Sequence, residues 1–203
     1  MRPPGPVADG MRIGLLGGSF NPAHDGHIYA STLALKRLQL DFVWWLVSPQ
    51  NPLKDTEGMA AFDARLTRAQ TLAHHPRIVV TGLEEALGTR FTVDTLRALT
   101  HRFPRIHFVW LMGSDNLLQL PRWWQWQAIF AMMPVAVAAR PGTAISARTS
   151  KAAAHFRCFY AAPNRHFSVT RPPVWTILDS KRNPASATAL RARPGLAKQT
   201  SLW

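Results

Sequence analysis

The sequence predicts a doubly wound α/β domain built on a parallel sheet. Three observations carry that expectation. Apolar runs of strand length alternate with helix-period segments from Met11 to about Ala139, the pattern of strands joined by right-handed helical crossovers. The first apolar run ends in a glycine pair, Gly17-Gly18, and opens into a turn of small residues. The length of 203 residues, 47% of them apolar, suits one domain with a filled core.

The elements follow in order. Residues 11–16 (MRIGLL) read as a buried strand. A Gly/Asn/Pro-rich turn follows, then a helix from about Asp25 to Leu38, with Ile28, Leu35 and Leu38 at helical spacing. Residues 42–47 are a second apolar run, and 48–54 a Pro/Asn loop. Residues 62–73 read as a helix, 77–81 as a strand, 92–102 as a helix and 106–112 (IHFVWLM) as a strand. One or two helices interrupted at Pro121 are expected over 114–130, and a strand over 134–139. Beyond Pro141 the pattern weakens into a basic helix over 146–159, a last strand over 174–178 and a short helix from about Ser186. Residues 1–10 are expected to be a flexible tail, 11–194 a single domain and 195–203 a frayed end. Ligands of such sheets sit beyond the C-terminal strand ends, so the loops at 17–27, 48–54 and 113–115 belong on the binding edge.

Composition narrows the function classes. No apolar run approaches the roughly 20 residues of a membrane-spanning helix, and the proline-bearing start lacks the apolar core of a secretory signal. The single cysteine, Cys158, excludes a disulfide scaffold and a cysteine-based zinc cluster, so the cytoplasm is the expected compartment. The net charge of +13 is uneven. Residues 1–139 hold 13 basic and 10 acidic side chains, whereas 140–203 hold 11 basic side chains and one acidic, Asp179. Such a field attracts nucleotides, nucleic acid or an anionic membrane, and only motifs can choose among them.

The segment Gly17-Gly18-Ser19-Phe20-Asn21-Pro22-Ala23-His24-Asp25-Gly26-His27 lies between the first strand and the first helix. Small residues let backbone N–H groups approach a phosphate, and the helix N-terminus favours an anion. His24 and His27, three apart, share one face of a first helical turn. No Gly-Lys-Ser/Thr follows, so this is not a Walker A loop, and it is not G-x-G-x-x-G. Two histidines could also begin a metal site, but no third ligand lies near in sequence. The plainer reading of the histidines is a helix cap.

This segment resembles the first motif of the bacterial nicotinate-mononucleotide adenylyltransferases, members of the H-x-G-H nucleotidyltransferases, with Ala23 where many relatives carry a second proline. Four further segments resemble that family in order. They are residues 48–54 (SPQNPLK), residues 91–96 (FTVDTL, with Phe91 for Tyr), Gly113-Ser114-Asp115-Asn116 followed by Leu120-Pro121-Arg122-Trp123-Trp124, and residues 185–191 (ASATALR, with Ala185 for Ile). The resemblance runs from Met11 to about Arg191. The resemblance implies a Rossmann-like three-layer α/β/α nucleotidyltransferase fold. It implies that the adenylyl group of ATP passes to nicotinate mononucleotide, giving deamido-NAD and pyrophosphate, with Mg²⁺ carried by ATP.

The implied roles are specific. Gly17, Gly18, Ser19 and Phe20 offer backbone N–H groups, and His24 and His27 grip ATP phosphates. Gly113 and Asp115 meet the ATP ribose, although Asp115 or Ser114 could instead cap a helix. Ser186, Thr188 and Arg191 form a second phosphate site, or else a capped basic surface helix. Lys54 neutralises the mononucleotide phosphate, or is a solvated loop lysine. Trp123, with Trp124 next, stacks on the pyridine ring. Thr92 and Thr95, with Ser19 and Phe20, hold the mononucleotide, though helix capping by Thr92 is the competing reading. Asp94 should point away from Thr92, about 200° round the helix. Two other functions stay in view: a sibling enzyme acting on the amide mononucleotide or on phosphopantetheine, and a basic nucleic-acid-binding protein. No specific nucleic acid and no membrane partner is expected.

Overall fold

The computed structural model describes residues 2–49, 58–140, 142–162 and 167–178. The strands are β1 (Arg12–Gly18), β2 (Phe42–Val47), β3 (Ile78–Thr81), β4 (His107–Gly113), β5 (Val135–Ala138) and β6 (Trp175–Leu178). They form one sheet in the order β3-β2-β1-β4-β5-β6, with every pairing parallel. The helices are α1 (Asp25–Arg37), α2 (Phe62–Leu72), α3 (Leu83–Leu87), α4 (Thr92–Arg102), α5 (Ser114–Gln119), α6 (Trp126–Met132), α7 (Ala144–Arg148) and α8 (Lys151–His155). The doubly wound class expected from the sequence is what the chain adopts.

Side-chain alternation explains the two-sided core. Successive residues of a strand face opposite sides of the sheet. Ile13, Leu15, Trp44, Leu46, Phe108, Trp110 and Met112 belong to one buried cluster, with Leu96 and Leu99 of α4 and Ile129 and Phe130 of α6. Leu16, Val43, Trp45, Val47, Val109 and Leu111 belong to the other, with Ala34 and Leu35 of α1 and Ala69 of α2. A strand buried on both faces must read as a continuous apolar run, as FVWWLV does. The order of the sheet reverses between β1 and β4, and the glycines ending these strands flank the crevice there, where such folds bind ligands.

Several local features differ from the sequence reading. The helix α3 was not expected; it is five residues long and ends at Gly88, whose φ of 63° needs no Cβ penalty in glycine. The expected helix over 114–130 divides into α5, a 3₁₀ turn Leu120–Arg122 with Pro121 at its start, and α6. Proline tolerates a first helical position but not a helix interior. The expected basic helix over 146–159 is two short helices and a 3₁₀ turn, because the Ser150 hydroxyl accepts from the Ala153 N–H at 3.2 Å and starts α8 afresh. Within 1–10, Val7 packs against the core, Gly10 N–H donates to Arg105 O at 2.9 Å and Asp9 pairs with Arg105 at 2.8 Å. The helix expected from Ser186 and the end at 195–203 lie outside the described residues.

Candidate active site

The turn after β1 is held from three directions. A Cβ on Gly17 would run into the Trp110 ring, so only glycine fits between this strand and its neighbour β4. Phe20 has φ 47°, a conformation unfavourable to a bulky side chain. Its ring is buried between His27, at 4.6 Å, and Trp45, at 5.0 Å between centroids, and that packing holds the backbone in place. Ser19 is buried, and its Oγ has no hydrogen-bond partner among the described residues.

The third hold is Arg65. It is 2% exposed, and its guanidinium donates to four carbonyls: Ala60 at 2.9 Å, Ser19 at 2.6 Å, Ser48 at 2.8 Å and Pro49 at 2.8 Å. One planar group thereby joins the loop after β1 to the loop after β2 and leaves a buried positive charge beside both. Sequence reasoning missed Arg65, since a lone arginine in a helix normally reads as surface. Its hint was its place on the otherwise apolar stripe of α2.

His24 is the N-cap of α1, and its Nδ1 accepts the Gly26 N–H at 3.0 Å. His27 Nδ1 accepts the His24 N–H at 3.2 Å, and the rings lie 4.0 Å apart. The cap expected as the alternative to catalysis is therefore present. It does not compete with catalysis, because a ring nitrogen that accepts a hydrogen bond carries no proton. In the neutral form of each ring the proton sits on Nε2, which becomes the donor. Burial, helped by the positive charge of Arg140, lowers His24 to about 4 against the pull of Asp25 and Asp115, so His24 is neutral at pH 7.

At the end of β4, a Cβ on Gly113 would collide with Asp115 Oδ1 and crowd the Arg140 guanidinium, so a larger residue there would displace both side chains. Asp115 Oδ2 accepts from Arg140 at 3.2 Å, while Oδ1 is buried with no partner among the described residues. Ser114 Oγ accepts the Arg140 N–H at 2.9 Å and lies 2.7 Å from Thr143 Oγ1. Neither Ser114 nor Asp115 caps α5; the N-cap is Gly113, with no side-chain bond.

A pocket opens between the ends of β1, β2 and β4 and the start of α4. Its wall includes Gly17, Gly18, Ser19, Ser48, Thr92 and Trp110. Trp123 and Trp124 line it too, with Trp123 edge-on to Trp110 at 6.5 Å and Trp124 59% exposed beside Phe91 at 6.0 Å. Thr92 is the first residue of α4 and does not cap it; the cap position is Phe91, without a side-chain bond. Thr95 stands behind the wall, 1% exposed, its hydroxyl 2.7 Å from that of Thr89. Asp94 is paired with Arg97 at 3.1 Å on the outer surface, as its helical position required. Glu84, Arg90, Phe91, Asn116 and Arg122 also line the pocket; sequence reasoning gave none of them a role, although Phe91, Asn116 and Arg122 fall within the family-like segments. Lys54, Ser186, Thr188 and Arg191 lie outside the described residues, and the described residues hold no group of three or more metal-ligating side chains.

The glycine turn, the His24–His27 pair and the Asp115 carboxylate lie at the switch point of a parallel sheet, the place where such folds bind ligands. Residues 15–193 match the cytidylyltransferase-like family model. A protein of Parvibaculum lavamentivorans is 52% identical over 191 residues, covering 93% of this chain and 95% of its own length. One of Methylorubrum extorquens strain PA1 is 52% identical over 187 residues, covering 90% of this chain and all of its own. Both bear the name "Probable nicotinate-nucleotide adenylyltransferase". The chain belongs to the cytidylyltransferase-like nucleotidyltransferases and, within them, to the nicotinate-nucleotide adenylyltransferase family. The nicotinic acid mononucleotide adenylyltransferase of Plasmodium falciparum, solved with NaAD, shares the fold with a TM-score of 0.68 at 14% identity, covering 89% of this chain and 82% of its own. No helix among the described residues is long and apolar enough to cross a membrane.

Proposed function

We propose that this protein joins nicotinate mononucleotide to the adenylyl group of ATP, giving deamido-NAD and pyrophosphate. A phosphate oxygen of the mononucleotide attacks the α-phosphorus in line. The bond to the β-phosphate oxygen breaks, and pyrophosphate leaves with its electron pair. No covalent enzyme intermediate is required, so catalysis is placement and charge stabilisation. The observation that carries this reading is the histidine pair, whose Nδ1 atoms are tied to the backbone so that Nε2 carries the proton in each neutral ring.

In this reading Gly17, Gly18, Ser19 and Phe20 present backbone N–H groups, and His24 and His27 donate to ATP phosphates. Gly113 and Asp115 Oδ1 receive the ribose hydroxyls. Trp123, with Trp124, stacks on the pyridine ring and Thr92 donates to the mononucleotide. Thr95, behind the wall, acts only through its neighbours. Lys54, Ser186, Thr188 and Arg191 complete the phosphate contacts on the strength of their motifs. The nucleotide brings a divalent metal with it, which we take to be Mg²⁺ held by phosphate oxygens and water. Residues 11–194 act as one catalytic unit in the cytoplasm, and the basic charge of 140–203 serves phosphate attraction rather than a specific nucleic acid. The test is pyrophosphate release from MgATP with nicotinate mononucleotide, its amide or phosphopantetheine as acceptor. Release is expected with the acid mononucleotide foremost, and release with phosphopantetheine alone would overturn the assignment.

A further inference from the structure

A pocket built for an anionic substrate carries a carboxyl group in its wall. Glu84, the second residue of α3, is 8% exposed and lines the pocket beside Ser48 and Thr92. Hydroxyls from two other elements reach its carboxyl: Ser48, just after β2, and Thr95 on α4. Thr95 is backed in turn by Thr89 at 2.7 Å.

The surrounding charges are placed elsewhere. Arg90 and Arg122, the cations lining the pocket, are exposed. Asp94 on α4 is paired with Arg97, and the neighbouring Glu85 is exposed. Arg65, behind Ser48, donates to four backbone carbonyls. Burial disfavours the charged carboxylate and pushes Glu84 up to about 7, against the pull of the two hydroxyls.

Thr92 and Glu84 share this wall, so a ring substituent held by Thr92 meets whichever form Glu84 takes. A carboxylic acid has an O–H to donate; a carboxylate has only acceptors. The two substituents that distinguish the pyridine mononucleotides are opposite in the same sense. The nicotinate carboxylate only accepts, and the carboxamide also donates.

We propose that Glu84 is a specificity-determining residue of the mononucleotide pocket: as the neutral acid it admits and donates to the nicotinate carboxylate, and as the carboxylate it repels that group and accepts from a carboxamide. The proposal rests on the function proposed above. Binding of the acid then keeps the proton on Glu84, drawn from solvent where the group was ionised.

The ratio of kcat/KM for nicotinate mononucleotide to kcat/KM for its amide tests this between pH 6 and 8. The two substrates share ribose and phosphate, so the ionisation of that phosphate cancels in the ratio. kcat/KM reports groups of the free enzyme. A group titrating near 7 loses about nine-tenths of its neutral form over that interval while its charged form grows about tenfold, so the ratio should fall by at least about tenfold, and towards a hundredfold where the amide uses the carboxylate alone. In Glu84→Gln, a permanently neutral side chain of the same shape, the ratio should be flat with pH. In Thr95→Val, which removes one donor to the carboxylate, the fall should move to higher pH. A flat ratio in the native protein overturns the proposal, as does an unchanged slope in Glu84→Gln or an unmoved midpoint in Thr95→Val. Turnover of both mononucleotides with a flat ratio sinks Glu84 alone, whereas adenylation of neither at any pH sinks the function on which it rests.

Discussion

His24 is asked to do two things that substitution can separate. Its Nδ1 caps α1 by accepting from the Gly26 N–H at 3.0 Å, and the other ring nitrogen is assigned to the ATP phosphates. Asparagine reproduces the reach of Nδ1 and is among the best N-caps, but it places nothing at Nε2. Glutamine does the reverse, reaching towards Nε2 and abandoning the cap. His24→Asn should therefore keep the cap and lose the donor. Losing one transition-state donor costs about 10²–10³-fold in kcat. Its stability should fall only by about 1 kcal/mol, because the smaller side chain fills less of a site that is 4% exposed. His24→Gln should lose about 1 kcal/mol from the cap yet retain more turnover than the asparagine variant. Steady-state kinetics and urea unfolding on both proteins are the assays. If His24→Asn turns over at the native rate, or both variants lose activity only in proportion to stability, the histidine is a cap and nothing more.

Arg65→Met should destabilise by about 2–3 kcal/mol in urea unfolding, since the buried Ser19 carbonyl and the part-buried carbonyls of Ala60, Ser48 and Pro49 all lose their donor; an unfolding midpoint within error of the native value would show that the guanidinium is dispensable. Gly17→Ala should lower both melting temperature and mononucleotide affinity, because the new Cβ meets the Trp110 ring and overpacking costs about 1–3 kcal/mol; calorimetry and KM check the two effects. Glu84 titrates near 7 when folded, against 4.5 for an ordinary glutamate. The folded state thus binds more protons between those values, and its stability falls as pH rises through 7. Glu84→Gln should therefore gain on the native protein by about 2–3 kcal/mol between pH 5 and pH 8, read from unfolding curves at the two pH values.

Much of the fold was legible because the strands are buried on both faces. Runs such as FVWWLV over 42–47 leave little room for another reading, and β2 and α4 occupy the residues expected of them. Short polar-capped elements were harder to read. LEEAL over 83–87 offers a single i,i+4 pair, Leu83 and Leu87, too short a pattern to read as a helix, and α3 forms because that pair packs on the core between Gly82 and Gly88. The break at Ser150 shows a single hydroxyl overriding the alanine-rich stretch on either side. At the site, the glycine–histidine turn was visible because chemistry there demands rare residue types at fixed spacing. Glu84 and Arg65 were not, since a carboxyl or guanidinium in a short helix looks solvated until tertiary packing buries it.

The central claim is that the α-phosphorus of ATP passes directly to the mononucleotide. With ATP labelled at that phosphorus and nicotinate mononucleotide as acceptor, the label should appear in deamido-NAD in a one-to-one ratio with pyrophosphate and never on the protein. Label trapped on the protein before acceptor is added, or pyrophosphate formed without labelled dinucleotide, would contradict it.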